Sequence, residues 1–328
     1  MPDDAVADSV DSPDSNSPYS VSPYSVLPAA GPYGVAIGSA LITMVEPHPG
    51  AEAEYNRWYE DDHFYAGAMA MPWMFAGRRW VAPRALQALR EPADSAVARP
   101  LEAGKYIAVY WLTRGRYRDH MRWTVATNRR LNADGRIFHR RDHVFTAFQD
   151  YLGAVYRDGR GGVRDIHALD HPYGGLVVEV VDAVGEAAVG EAAVGEAAVD
   201  EASAGAGDAA GVGDVAGVGG AAVSALVDWL RAERAPRVLA PGGAAAMGLL
   251  FTPLPLPEDR MAYVDQVAGL GRRLTVLWFT ETTPAECWEP GFTAAAADWE
   301  KSGLGRLELL APFVPTLPGT QAYVDELR

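Results

Sequence analysis

The chain has 328 residues, 49% of them apolar, a single cysteine and a formal net charge of −15, which is length enough for two ordinary domains around a sizeable core. Thirteen of the negative charges lie in two segments without a Lys or Arg, five acids in residues 1–33 and eight in 182–220. The remainder is therefore near neutral and carries no general basicity for nucleic acid. The lone Cys287 excludes an intramolecular disulfide framework and a multi-cysteine zinc site, and its neighbours Glu286 and Glu289 disfavour a thiolate. The acidic opening MPDDAVADSVD has no apolar signal region, and no apolar run approaches the roughly 20 residues that span a bilayer. These features predict a soluble cytoplasmic protein without membrane or nucleic-acid partners.

Residues 1–33, rich in Pro, Ser and Asp with a tandem SPYSV, predict a disordered acidic arm. A first unit follows over 34–153. It reads as strand 34–45, helix 51–65, strand 74–83, strand 105–113, helix 117–131 and strand 136–148. GAVYRDGRGG at 153–162 lacks a strand–turn–helix setting for a phosphate loop and reads as a loop, with a linker at 154–173. The second unit, 174–318, repeats the order as strand 174–183, helix 224–234, strands 244–254 and 272–281, helix 286–302 and strand 305–315. Its low-complexity insertion, 182–220, carries a VGEAA repeat that fits neither helical nor strand periodicity, and 319–328 is a C-terminal tail. Twice βαββαβ predicts an α+β fold of two tandem ferredoxin-like units whose bare sheet faces pack on each other as an intramolecular α+β barrel.

The segment EYNRWYEDDHFYAG, 54–67, concentrates the chemistry. At 3.6 residues per turn Tyr55, Trp58, Tyr59, Asp62 and His63 share one face and point at the sheet, whereas Glu54, Arg57, Glu60 and Asp61 point to water. His63, near the helix end and beside Asp62, is then expected to favour the imidazolium and to serve as general acid–base. Catalytic candidates are therefore His63, Asp62 and Tyr59. His120 and Asn128 on the second helix, His143 on the fourth strand, and Arg79, Trp80 and Tyr110 on central strands join Tyr55 and Trp58 as substrate-binding candidates. Of adjacent Arg78 and Arg79, one must face the helices or the other sheet. Three imidazoles, His63, His120 and His143, could in principle take a metal, but no local ligand spacing supports this and no metal or cofactor is expected. All seven histidines lie between 48 and 171, so an imidazole catalyst confines the chemistry to the first unit.

The order of elements, with Trp58-Tyr59-Glu60-Asp61-Asp62-His63 on the first helix and Gly77-Arg78-Arg79 on the next strand, resembles the dimeric α+β barrel superfamily, particularly its EthD-like branch. The tandem fusion, the acidic arm and the insertion depart from the usual pattern, and the fusion argues against a symmetric two-site homodimer. The resemblance implies a cofactor-independent enzyme of cyclase, dehydratase or isomerase type in secondary metabolism, acting on a small apolar carbonyl or aromatic, polyketide-like compound. The runner-up is a cofactor-free monooxygenase of an electron-rich aromatic, and the rival from another class is a non-catalytic ligand-binding or accessory protein. The expected state is a monomer, itself a pseudo-dimer, or a weak homo-oligomer.

Overall fold

The computed structural model describes residues 35–71, 73–157, 162–184, 220–257 and 266–328; the acidic arm and most of the VGEAA insertion lie outside them. Eight antiparallel strands close into one barrel in the order β1-β3-β2-β8-β5-β7-β6-β4. They are β1 Ile37–Pro47, β2 Met74–Val81, β3 Tyr106–Thr113, β4 Arg141–Tyr156, β5 Gly175–Ala183, β6 Met247–Pro253, β7 Arg273–Thr280 and β8 Gly305–Pro315. The order β4-β1-β3-β2 in the first half recurs as β8-β5-β7-β6 in the second.

Strands such as YIAVYWLT of β3 and GLVVEVVDA of β5 are buried along nearly their whole length. That is the pattern of a sheet covered on both sides, with a packed lumen inside and helices outside. The bare faces thus become the inner wall of one barrel, and the halves join edge to edge. One seam is long, Gln149–Tyr156 of β4 running against Met247–Pro253 of β6. It requires β4 to continue through Gly153–Tyr156, where the sequence reading placed a loop. Gly153, at φ +119° beside a register shift, turns the strand from one half toward the other. The second seam is short, Trp80 opposite Pro315 and Val81 opposite Val314. The loop that follows adds a bridge between Glu91 and Leu310, and Arg90 ties that loop through the carbonyls of Leu101, Ala103 and Gly104.

Against the first half pack α1, Glu52–Trp58, which runs on without a break as a π-helix over Tyr59–Met69, and α2, Tyr117–Ala133. Against the second half pack α3, Ala221–Trp229, followed by a π turn at Leu230–Arg234 and a helical turn at Ala235–Val238, then α4, Pro284–Gly291, and α5, Ala295–Ser302. The C-terminal residues cross back over α1. Thr320 accepts from Asn56, the Gly319 N–H donates to Glu60, and Arg328 pairs with Glu52. No helix among the described residues is long and apolar enough to cross a membrane.

The space between helices and sheet is filled differently in the two halves. In the second, Glu179 of β5 is fully buried and takes both arms of Arg234 at 2.7 and 2.9 Å. The indoles of Trp278 and Trp299 also donate to it, at 2.7 and 2.5 Å. Four donors satisfy this carboxylate, so the ion pair is tolerable without water. Glu179→Ala leaves Arg234 buried without this carboxylate and should cost about 3–5 kcal/mol in urea denaturation. Glu179→Leu combined with Arg234→Met should recover most of that loss, since an apolar pair of similar volume removes both desolvation penalties.

Candidate active site

In the first half the corresponding space holds a cavity of about 170 Å³. Its floor is the helix-facing side of the sheet, with Leu41 and Thr43 of β1, Tyr110 of β3, and Arg141, His143, Thr146 and Phe148 of β4. Its roof is Tyr59, His63, Gly67 and Ala68 of the π-helix, with Met121, Thr124, Val125 and Asn128 of α2.

The π-helix decides which groups reach this space. Its hydrogen bonds run from residue i to i+5, as at Ala70 N–H to Tyr65 C=O, 2.7 Å, and the turn widens beyond 3.6 residues. Tyr59, His63, Gly67 and Ala68 then fall on the sheet side. The 3.6-residue face predicted for this stretch holds for Tyr59 and His63 and fails at Asp62 and Glu60. Asp62 turns away from the cavity and pairs with Arg136, so it is not a partner of His63. Glu60, expected in water, is instead nearly buried and bonds Arg79 at 3.1 Å.

His63 stacks on Trp58, ring centres 4.4 Å apart and planes 20° from parallel, and meets Tyr59 edge-on at 5.3 Å. Its Nδ1 is sheltered from solvent and has no hydrogen-bond partner among the described residues. It lies so close to Gly67 that a Cβ there would come within 2.3 Å of it. Because the helix continues to Met69, His63 is not at a helix C-terminus, and the expected imidazolium does not form. Burial first, then the charge of Arg141, holds His63 down at about 3, with Asp62 opposing. Burial and Arg141 likewise hold His143 at about 4. Both rings are neutral at physiological pH.

Tyr59 and Tyr110 share a hydrogen bond of 2.5 Å between their hydroxyls, and the Arg79 guanidinium lies 4.2 Å from the Tyr59 ring centre. Burial raises both phenols, Tyr110 well above its ordinary value, so both keep their protons. Two hydroxyls carry two protons and their mutual bond uses one. The other remains on whichever phenol acts as acceptor.

A β-bulge shapes the floor. Met44 pairs with Phe145 but Val45 pairs with His143, so Val144 is the extra residue. Arg141, His143 and Thr146 thereby come to one face, whereas strict alternation would have put His143 and Phe145 together. The His143 Nδ1 and Thr146 Oγ1 lie 2.8 Å apart, and Thr146 Oγ1 and Thr43 Oγ1 also 2.8 Å.

Of the residues singled out from sequence, His63, Tyr59, Tyr110, Asn128 and His143 line the cavity. Tyr55 is packed behind it among Trp58, Tyr59, Tyr106 and Phe138. Trp58 backs His63 and donates its indole N–H to the Arg136 carbonyl. Arg79 faces the helices, held by Asn56 and Glu60 beneath Tyr59, and does not line the cavity. Trp80 and Arg78 lie on the other face of β2, Trp80 packing on Phe279. His120 is fully buried beside Phe148 and outside the cavity lining. The three imidazoles therefore do not converge, and no group of three His, Cys, Asp or Glu side chains among the described residues could hold a metal ion. Arg141, Thr43, Thr146 and Gly67 complete the site. The sequence signal for Arg141 is its place two residues before His143 on a strand.

No family model matches this chain and no curated protein matches it. Among solved structures it is similar to a candidate chlorite dismutase (10% identity, 87% of this chain and 96% of that one, TM-score 0.43). It is also similar to an anthrone oxidase-like protein (9%, 87% and 95%, 0.42) and to a haem-binding protein from Thermus thermophilus (10%, 90% and 97%, 0.35).

Gly67→Ala should push the imidazole off Trp58 without unfolding the chain, because the ring has the cavity to move into. The His63 ring resonances should lose their stacking shift while the melting temperature stays within a few degrees. In NMR titration His63 and His143 should remain neutral down to about pH 5, far below the ordinary 6.5. Since the unfolded chain takes up these protons first, their contribution to stability is complete above about pH 6.5. It should be lost as pH falls through the window from 6.5 to the folded values.

Proposed function

We propose that this chain is an enzyme in which two tandem ferredoxin-like units form an intramolecular dimeric α+β barrel of the EthD-like kind. In this reading only the first unit works, and the second, sealed by Glu179 and Arg234, takes the place of a partner subunit. The substrate is a small carbonyl or aromatic compound held in the first-unit cavity, and His63 moves a proton on it in an isomerisation, dehydration or cyclisation.

The observation that carries this reading is one wall presenting both halves of the chemistry. A neutral imidazole, able to accept a proton at any physiological pH, lies beside a phenol pair with one hydrogen-bond proton to give. Proton removal next to a carbonyl creates an enolate oxygen, and a phenolic O–H aimed at that oxygen stabilises charge as it develops. An imidazole held at about 3 is a weak base in the resting site. It becomes a stronger one as negative charge grows beside it, and it returns the proton readily to a neighbouring carbon or oxygen. Tyr59 keeps a role as one of the phenols; Asp62 has none.

The cavity also bounds the substrate. A site of about 150 Å³ holds benzene, so about 170 Å³ suits a compact molecule of about one ring. A haem macrocycle does not fit there, and the described residues offer no group of metal ligands.

Solvent-deuterium incorporation next to the carbonyl of small aryl ketones, followed by proton NMR, tests the reading without knowledge of the natural substrate. The wild type should exchange at least one of a panel, and His63→Gln should slow exchange by about 10²-fold or more. Asp62→Asn should leave it unchanged. Equal exchange by wild type and His63→Gln, or none above buffer, would reduce the site to a binding pocket.

A further inference from the structure

Two alternate residues of β2, Gly77 and Arg79, sit against the two phenols of the cavity wall. Gly77 stands opposite Tyr110 on the neighbouring strand. A Cβ on it would come within 2.5 Å of the Tyr110 ring and 2.7 Å of the Met69 sulfur, so the ring lies where it does because that residue is glycine. Arg79, two residues further on the same face, takes Tyr59. Its guanidinium carbon lies 4.2 Å from the Tyr59 ring centre, against 5.1 Å for Tyr106 and 5.8 Å for Tyr55. Asn56 and Glu60 hold Arg79 through one nitrogen, each at 3.1 Å, and the side chain is buried. One strand thus seats both rings and gives them unequal surroundings, a cation against Tyr59 and a glycine against Tyr110.

The two hydroxyls share one short bond, 2.5 Å, and hold two protons. Which phenol donates decides which one keeps a proton for a ligand. A cation against the face of a ring draws charge from it and makes its hydroxyl the better donor. Burial raises both phenols. Arg79, then the bond to Tyr110, then Arg141 act to lower Tyr59, whereas Tyr59 itself raises Tyr110 further. Glu60 pairs with the same cation, yet Arg79 still acts on Tyr59 more strongly than any other charge. Tyr59 is the donor within the pair, and Tyr110 is the acceptor.

We propose that Tyr110 gives the hydrogen bond to the substrate oxygen, that Tyr59 strengthens it by donating to the Tyr110 hydroxyl, and that Arg79 is the positioning residue that fixes this direction. This rests on the reading of the cavity as the working site and deepens it, by naming the group that meets the substrate oxygen and the residues that act through it. Successive hydrogen bonds polarise one another, so charge growing on that oxygen meets a donor reinforced from behind. Neither phenol has to lose its proton.

The probe is pentafluorophenol, a single ring that is an anion at pH 8 and presents an oxygen charged as an enolate would be. Proton NMR of the full chain with the probe bound should show two far-downfield hydroxyl signals, one between Tyr59 and Tyr110 and one between Tyr110 and the probe. The His63 ring signals should shift as well, which places the probe in this cavity. Tyr59→Phe should remove the first hydroxyl signal and keep the second; Tyr110→Phe should remove both. Arg79→Met should weaken probe binding about tenfold and move the probe signal upfield, and Arg79→Lys, which keeps the cation, should recover most of both effects. If Arg79→Met fails to fold because Glu60 loses its partner, Arg79→Met combined with Glu60→Gln carries the same expectation. A probe signal kept in Tyr110→Phe and lost in Tyr59→Phe overturns the assignment and leaves the enzyme reading standing. Equal affinity of the wild type and the folded Arg79 variants overturns the part given to Arg79. Absence of any downfield signal in the wild type overturns the whole assignment, and if aryl ketones are not exchanged either, the enzyme reading falls with it.

Discussion

The change of hydrogen-bonding step at Tyr59 governs the first half of this molecule. Up to Trp58 the helix is an ordinary α-helix; from Tyr59 to Met69 it is a π-helix. Fewer turns per residue make the helix wider and turn its side chains by a different angle. This one change puts Asp62 on the outside against Arg136, brings Glu60 under Arg79, and stacks His63 between Trp58 and Gly67. A π-helix is intrinsically less favourable than an α-helix, so eleven residues of it need support from their surroundings. Here the support is visible: the Arg79–Glu60–Asn56 bonds, the Tyr59–Tyr110 bond and the C-terminal crossing at Gly319 and Thr320 all grip this helix.

The two halves show what the same strand order does with different side chains. In both, the first helix passes into π geometry, at Tyr59 and at Leu230. In the second half the inward group after that point is Arg234, and it is consumed by Glu179, beside Trp278 and Trp299. In the first half the inward groups are His63 and Tyr59, and the space beside them stays open. A fully satisfied ion pair is a stable filling and leaves nothing to react with. A neutral imidazole whose Nδ1 has no partner among the described residues is a poorer filling, tolerated because the rest of the barrel is well packed. Under the proposed function one half holds shape and the other holds chemistry, in a chain whose seven histidines all lie between 48 and 171.

Much of this was readable in the residues. The order of strands and helices follows from apolar periodicity, and the structure departs from it mainly at element ends. Tyr59, His63, Tyr110, Asn128 and His143 were identified as candidate site residues because polar, titratable side chains on otherwise apolar faces need a cavity or a partner. The misses have physical causes. Asp62 and Glu60 were misplaced because no sequence pattern announces a π-helix, and 3.6-residue arithmetic then assigns the wrong face. Arg141 shares the face of His143 by plain alternation, whereas Thr146 joins them only through the bulge at Val144, which is invisible in the local sequence. Barrel closure through Gly153–Tyr156 was missed because a Gly-bearing stretch reads as a loop when its partner strand, Met247–Pro253, is about ninety residues away. His120 and Arg79 were chosen correctly as inward residues, but inward has two meanings in a layered fold, toward a cavity or into the packing behind it.

The most direct measurement is a crystal structure of the protein at a resolution that shows small molecules, after soaking with a one-ring aryl ketone. The account predicts density for the ring between Phe148 and the π-helix, its oxygen within hydrogen-bond reach of the Tyr59–Tyr110 hydroxyls and His63 still stacked on Trp58. A first-half space closed by side chains, with the His63 Nδ1 bonded to main chain and no ligand admitted, would contradict it.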